Sequence, residues 1–383
     1  MSAAPAPRTI VARARLASQG LLPVRGHAHG RPDAGEPDAG QSRTDPAGAV
    51  RRLLLVQAQD FGQAFWALGV RTPGADVATV RAAFDAGAIV RTWAARGTLV
   101  LAVPGVLDDV LAVTAPRMRA QTAAVFRHSG ITADDLAALA PVALRRSAGG
   151  ATRSSLLEAF REAGQPTAGQ RGYHLLMGLS LERVIVQGPM AAGGAGQLFV
   201  PYRNWLEAAQ GRTRHDGEDP AGALERLAVG YFTGHGPATE SDFAWWLGVP
   251  LTPVRAALAA AGADGRLVRR EVSGSGHWMA PGTAAVLDAG GPGPGARSLV
   301  ALPGFDEYLL GYRDRSATLP AQHAARVVPG GNGVFRRTII RGGATVGTWS
   351  AEGRPEPFGA DLGPAVARAF AARMRAYSRF WAR

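Results

Sequence analysis

Apolar residues along this chain repeat with a period near 3.6 over some stretches and near 2 over others, and the same order of periods recurs three times. In each copy, helix-period segments end at a glycine or a short turn and lead into two β-rich runs joined by a tight connection. The first copy runs from a helix over 77–86 through Gly87 into AIVRTW, then past Ala95, Arg96 and Gly97 into TLVLAV. The second places helices at 134–144, 154–163 and 170–178 before RVIVQG and QLFVPY. The third places helices at 223–232, 240–247 and 253–261 before RLVRREV, the turn SGSG, and HWMA. Short helices followed by a two-stranded wing describe a winged helix-turn-helix, with the last helix before each wing as recognition helix.

The C-terminal part follows another pattern. SLVALPGFDEYLLGYRDR precedes NGVFRRTIIRGGATVGTW, where an RGG turn between alternating runs predicts a hairpin, and a helix is expected over 362–381. A further helix is expected over 8–19. Residues 24–48 are crowded with Gly, Pro, Asp, His and Arg and read as a flexible surface insertion. Two other breaks, at 188–197 and 289–297, read as a hairpin tip and a linker. The expected fold is mainly α with β wings, an α+β chain of three tandem winged-helix units plus a C-terminal β element and closing helix. The expected divisions are 1–128, 129–210, 220–288 and 297–383.

Composition narrows the chemistry. The 383 residues are 46% hydrophobic and 19% charged, an ordinary globular balance with room for two or three cores. The chain has no cysteine, which excludes disulfides, iron–sulfur clusters, zinc-thiolate sites and thiol nucleophiles. All 42 Lys and Arg positions are arginine, so no lysine Schiff base or P-loop lysine can operate. A net charge of +12 points to a polyanionic partner, with nucleic acid leading and solubility the plain alternative. No apolar run reaches the ~18 residues of a membrane span and no signal peptide opens the chain, so no membrane partner is expected and the location expected is cytoplasmic.

Within LLLVQAQDF, Gln57 and Gln59 stand two apart in an apolar stretch. In an extended or turned segment both amides point to one side and can grip one small molecule; in a continuous helix they diverge by about 200°. A shared role therefore needs a break in helix geometry near Ala58. The other reading is two glutamines bonding neighbouring backbone.

Five stretches in order carry a family resemblance: LLLVQAQDFGQAFWALGVR at 53–71, IVRTWAARGTLVLAVP at 89–104, ALERLAVGYFTGHGPATESDFAWWLGV at 223–249, LPGFDEYLLGYRDR at 302–315 and GVFRRTIIRGGATVGTW at 333–349. With them the chain resembles the winged-helix DNA glycosylases of the AlkZ/YcaQ type, a bacterial family that excises alkylated bases. The resemblance implies catalysis by a motif of Gln, an apolar residue, then Gln or Asp. Gln57-Ala58-Gln59 matches the Gln-ending branch, which includes enzymes that unhook interstrand crosslinks in antibiotic self-resistance. One departure is Val100, where the family leads one to expect a polar residue, often His, after RGTL.

The residues' own chemistry agrees. A glutamine carbonyl can orient water but is too weakly basic to take its proton fully, which suffices when the leaving base is already cationic, as in N7- or N3-alkylpurines. Without lysine the enzyme should be monofunctional. Arg91 and Arg96 near the first wing and Arg171 beside the second recognition helix are candidates for phosphate contacts. Tyr173 and His174 on that helix are candidates for DNA contact, core packing being the other reading of Tyr173. Asp306 and Glu307 with Arg313, Asp314 and Arg315 form either an acid–base cluster or a structural ion-pair network. His235 reads as a turn or cap residue, and at least one of Trp245 and Trp246 as core. No metal-binding spacing appears, and no cofactor is expected. The expected partner is double-stranded DNA containing alkylated purines, bound by a monomer. The alternatives are a non-catalytic winged-helix transcriptional regulator and a hydrolase using Asp306 and Glu307.

Overall fold

The structure is a computed structural model that describes residues 7–22, 45–194, 196–210, 219–288, 295–331 and 333–382. The expected insertion over 24–48 lies almost wholly outside these residues, as does most of the expected linker over 289–297.

In chain order, α1 (Pro7–Ser18) and α2 (Pro46–Leu53) precede β1 (Val56–Gln57), α3 (Phe61–Gly69) and α4 (Val77–Asp85). The hairpin β2 (Val90–Ala94) and β3 (Thr98–Ala102) leads into the long α5 (Pro104–His128). Next come α6 (Ala133–Ser147), α7 (Arg153–Glu162), α8 (Arg171–Leu181), the hairpin β4 (Ile185–Met190) and β5 (Gln197–Pro201), and α9 (Tyr202–Gln210). A third helical group, α10 (Pro220–His235), α11 (Glu240–Leu247) and α12 (Leu251–Ala263), leads into the hairpin β6 (Val268–Val272) and β7 (Ser275–Met279), then α13 (Pro281–Asp288). The last part holds β8 (Leu299–Leu302), α14 (Glu307–Leu310), α15 (Ala324–Val327), β9 (Thr338–Arg341), β10 (Ala344–Trp349), β11 (Pro355–Pro357) and α16 (Pro364–Trp381).

The result is a mixed α+β fold in which three groups of short helices each run into an antiparallel hairpin. Local chemistry sets the helix starts. Capping boxes at Asp76/Thr79, Thr132/Asp135 and Thr239/Asp242 satisfy N–H groups that the first turns of α4, α6 and α11 leave free.

Assembly departs from a simple tandem row. The first two hairpins join edge to edge in one five-stranded sheet, ordered β1-β3-β2-β4-β5, through the pairing of Arg91 with Gln187. The third hairpin stays two-stranded, and β11-β10-β9-β8 form a separate four-stranded sheet.

That C-terminal sheet and α16 back the first helices. The Trp66 indole donates to Ala301 O at 3.0 Å, and its ring meets Tyr377 and Phe380 of α16 at 5.0 and 5.5 Å. Gly69 ends α3 where a Cβ would stand 2.6 Å from the Phe380 ring, so only glycine lets the helices approach this closely. Burying each such aromatic contributes roughly 1.5–3 kcal/mol, which fixes α3 and the turn that enters it.

Candidate active site

The break in helix geometry required near Ala58 is present. Leu54 closes α2 with a left-handed φ of 62°, the chain extends through β1, and α3 begins only at Phe61. Asp60 caps α3 by accepting from Gln63 N at 3.1 Å. Gln57 and Gln59 thus sit on a short extended segment between two helices, at the β1 edge of the five-stranded sheet.

Both side chains turn to β3. Gln57 pairs with Val100, and its Oε1 accepts from the Thr98 hydroxyl at 3.1 Å. Gln59 Oε1 accepts from Leu99 N at 3.4 Å, while Ala58 N donates to Leu99 O at 2.8 Å. Gln57 is half-buried and Gln59 exposed. Each carbonyl oxygen has one donor and a second lone pair free for water. Neither NH2 group is hydrogen-bonded to a described residue. The pair can therefore receive a small polar molecule from solvent without breaking the contacts that orient it.

Arg91 holds this segment from beneath. Its Nε and Nη2 both donate to Ala58 O, at 3.0 and 2.8 Å, and Nη1 donates to Gln187 Oε1 at 3.0 Å. The guanidinium also lies 5.0 Å from the Phe61 ring centroid. Burial pulls its pKa down to about 10, partly offset by the Tyr173 oxygen. A cation whose donors grip the carbonyl between two glutamines positions them; its fork suits this task in a way a point charge does not. Sequence reasoning offered Arg91 only as a phosphate contact, because the pairing of β2 with β4 that sets it beside Ala58 leaves no local mark.

The other candidates separate into groups. Arg96, at the tip of the first hairpin, is exposed and stacks on Trp245, its Cζ 4.2 Å from the ring centroid. Arg171 Nη1 donates to the Ser129 and Gly130 carbonyls at 3.1 and 2.9 Å and Nη2 to Gln165 Oε1, so it ties α8 to the turn after α5. Tyr173 accepts from the Trp93 indole at 2.6 Å and is half-buried. His174 Nδ1 bonds Ser129 Oγ at 2.8 Å, and burial lowers its pKa. Arg171, Tyr173 and His174 thus gather at the start of α8; Arg96 stands apart beside α11. Val100 is buried and brings no polar atom to the glutamines.

The acidic cluster is interior. Asp306 takes both Nη atoms of buried Arg71 at 2.8 Å and also caps α14 through Tyr308 N at 2.9 Å. Glu307 Oε2 accepts from the Trp246 indole at 2.9 Å and lies 3.5 Å from His235 Nε2. His235 is fully buried at the end of α10, its ring stacked on Tyr231 at 4.5 Å, so it is a core residue instead of a turn residue. Trp246 is core and Trp245 half-buried. No group of three or more His, Asp or Glu able to hold a metal occurs among the described residues. None of the described helices is long and apolar enough to cross a membrane.

Helical groups feeding antiparallel hairpins, with paired carboxamides at an open sheet edge, define a mixed α+β protein of helix-and-hairpin units with a carboxamide site. The chain belongs to the AlkZ-like DNA glycosylase family, whose model matches residues 50–380. Its fold is similar to that of Streptomyces sahachiroi DNA glycosylase AlkZ, with a TM-score of 0.75 at 23% identity, covering 99% of this chain and 97% of that one. The DIP2311 protein from Corynebacterium diphtheriae, at TM-score 0.17 and 14% identity over 71% of this chain and 50% of that one, is too distant to bear on the fold. No curated protein matches the sequence.

Proposed function

We propose that this member of the DNA glycosylase family is a monofunctional enzyme that hydrolyses the N-glycosidic bond of purines alkylated at N7 or N3 in double-stranded DNA, crosslinked purines included. The observation that carries the reading is the pair of amides, Gln57 and Gln59, oriented by β3 and open to solvent. Departure of a cationic purine breaks the C1′–N bond and sends its electron pair to the base, which leaves neutral. The deoxyribose becomes oxocarbenium-like, water held by the glutamine oxygens adds at C1′, and its proton passes to solvent. A neutral leaving base would demand a strong acid, and the Asp306 and Glu307 carboxyls are buried away from solvent.

Arg96, Tyr173 and His174 are the proposed DNA contacts. Arg171, with its donors on the Ser129 and Gly130 carbonyls, holds the start of α8 that carries Tyr173 and His174, and Arg91, with its donors on Ala58 O, holds the glutamine segment. The regulator reading gains nothing from the geometry, since a DNA-binding protein without catalysis has no use for a clamped Gln-Ala-Gln edge.

Incubation with N7-alkylguanine duplex should release free base and leave an intact abasic strand that breaks only after alkali. Borohydride should trap no covalent adduct, because without lysine no ε-amine exists to form the imine of β-elimination. Efficient trapping, or wild-type protein that binds the duplex and releases nothing, sinks the proposal. A duplex with an interstrand N7 crosslink, resolved on a denaturing gel, tests the crosslink part.

A further inference from the structure

A second polar constellation lies just beyond the glutamine edge. Arg96 lies in the turn of the first hairpin, two residues before Thr98, whose hydroxyl holds Gln57, so the two positions are at most about 7 Å apart along the chain. Trp245 of α11 is the surface on which Arg96 stacks, and Arg315 places its Cζ 5.3 Å from the same ring centroid. The left-handed Gly248 (φ 77°) lets the Arg96 stem pass: a Cβ there would come within 3.2 Å of Arg96 Cγ. Against Trp245 opens a pocket of about 340 Å³, lined also by Arg117 of α5, Gly248 and Arg313. At ~30 Å³ per water that is room for roughly ten waters, or for a phosphodiester and its sugar.

The charges here are unbalanced. The Arg117 and Arg313 side chains are exposed and have no hydrogen-bond or ion-pair partner among the described residues. Arg315 and Arg96 repel one another, which helps desolvation lower the Arg315 pKa. The nearby carboxylates have other partners: Asp242 accepts from Thr239 N at the start of α11 and from Arg313 N and Asp314 N, Glu307 accepts from the Trp246 indole, and Asp314, whose charge also acts on Arg315, accepts from Ser316 N and Oγ. At the rim, α12 begins after Pro250 with no side-chain cap, so its first-turn N–H groups add positive potential. Guanidinia around an indole, lacking an anion and adjoining a site for DNA chemistry, suit a phosphate flanked by an apolar sugar.

We propose that the Trp245 pocket seats a phosphodiester group of the DNA strand presented to Gln57 and Gln59, with Arg117 and Arg313 as its charge partners. This rests on the glycosylase reading for the identity of the strand, but not for the anion site itself. The experiment is a titration of fluorescent duplex with full-length protein and the R117A/R313A variant at several salt concentrations. R368A/R375A, which removes two exposed arginines from α16, controls for net charge, and melting curves check that each variant is folded. Each lost phosphate contact reduces the slope of log K against log salt by about 0.9. The expected result is a slope shallower by about 2 and a Kd raised at least tenfold for R117A/R313A, well beyond the control. A slope and Kd equal to the control's would overturn the proposal. Base release by the wild-type protein, read on the same duplex with an alkylated guanine, judges the glycosylase reading separately: no release with a shifted slope removes that reading and leaves the phosphate site, and release with an unshifted slope does the reverse.

Discussion

The Gln57–Gln59 edge and the Asp306–Glu307 cluster both gather polar side chains, and they differ in access. Asp306 is 4% and Glu307 5% exposed, each bonded to a partner that is itself buried. The glutamines stand at a sheet edge, held by one bond each, with valences left over. Carboxylates are the stronger bases, yet a carboxylate saturated by a buried arginine has nothing to offer a substrate, and a weak base that meets solvent does. The interior cluster joins α3's end to the C-terminal part through Arg71 and so supports the turn that presents the glutamines. One region supplies rigidity, and the other is where the proposed chemistry would take place.

Several changes would break or sharpen this contrast. The largest effect is expected from Asp306→Asn, which leaves Arg71 charged and buried without its counter-ion and should cost about 3–5 kcal/mol in urea unfolding. A loss below 1 kcal/mol together with abolished base release would reverse the roles of the two regions. Gln57→Ala and Gln59→Ala should each slow single-turnover base release by on the order of a hundredfold, with duplex affinity within a few-fold, because water positioning belongs to the transition state. Gln59→Ala should also leave stability within about 0.5 kcal/mol, since the side chain is exposed.

Arg91→Lys is expected to lower kcat about tenfold at nearly constant KM. One ammonium cannot serve both Ala58 O and Gln187 as the guanidinium fork does, so the segment between the glutamines loosens without losing its charge. An unchanged kcat would show that β1 and β3 orient the amides unaided. The smallest effect concerns pH. Burial lowers the pKa of His174 and of His277 in the folded state, so the unfolded chain binds more protons just below pH 6.5. Stability should fall as pH drops from 7.5 through that window, and the double variant H174N/H277N should flatten the fall in melting temperature.

Much of the fold was legible because it is written in local periods and caps. The helices before each hairpin and the turns after Gly87 and at SGSG stand within a few residues of where periodicity puts them, and the RGG hairpin forms between β9 and β10. The helix break at Ala58 could be required from the sequence but not seen in it. Long-range pairings were illegible: Arg91 meets Gln187 across 96 residues, Arg71 meets Asp306 across 235, and neither partner's neighbourhood announces the other. Val100 shows the same limit in reverse, since its apolar side chain belongs to the core that β3 faces.

The sequence by itself determined the chemical vocabulary of this protein: arginine as its only strong cation, no thiol, two glutamines in register for one side of an extended segment. These are properties of residue type and spacing, and no fold can alter them. Tertiary structure decided which of the polar groups meet solvent and which satisfy one another. That choice depends on desolvation, and desolvation depends on what the distant parts of the chain bring to cover each group. It sealed Asp306 against Arg71, turned Arg91 onto the Ala58 carbonyl, and left Gln57 and Gln59 at the open edge of a sheet that two separate hairpins complete.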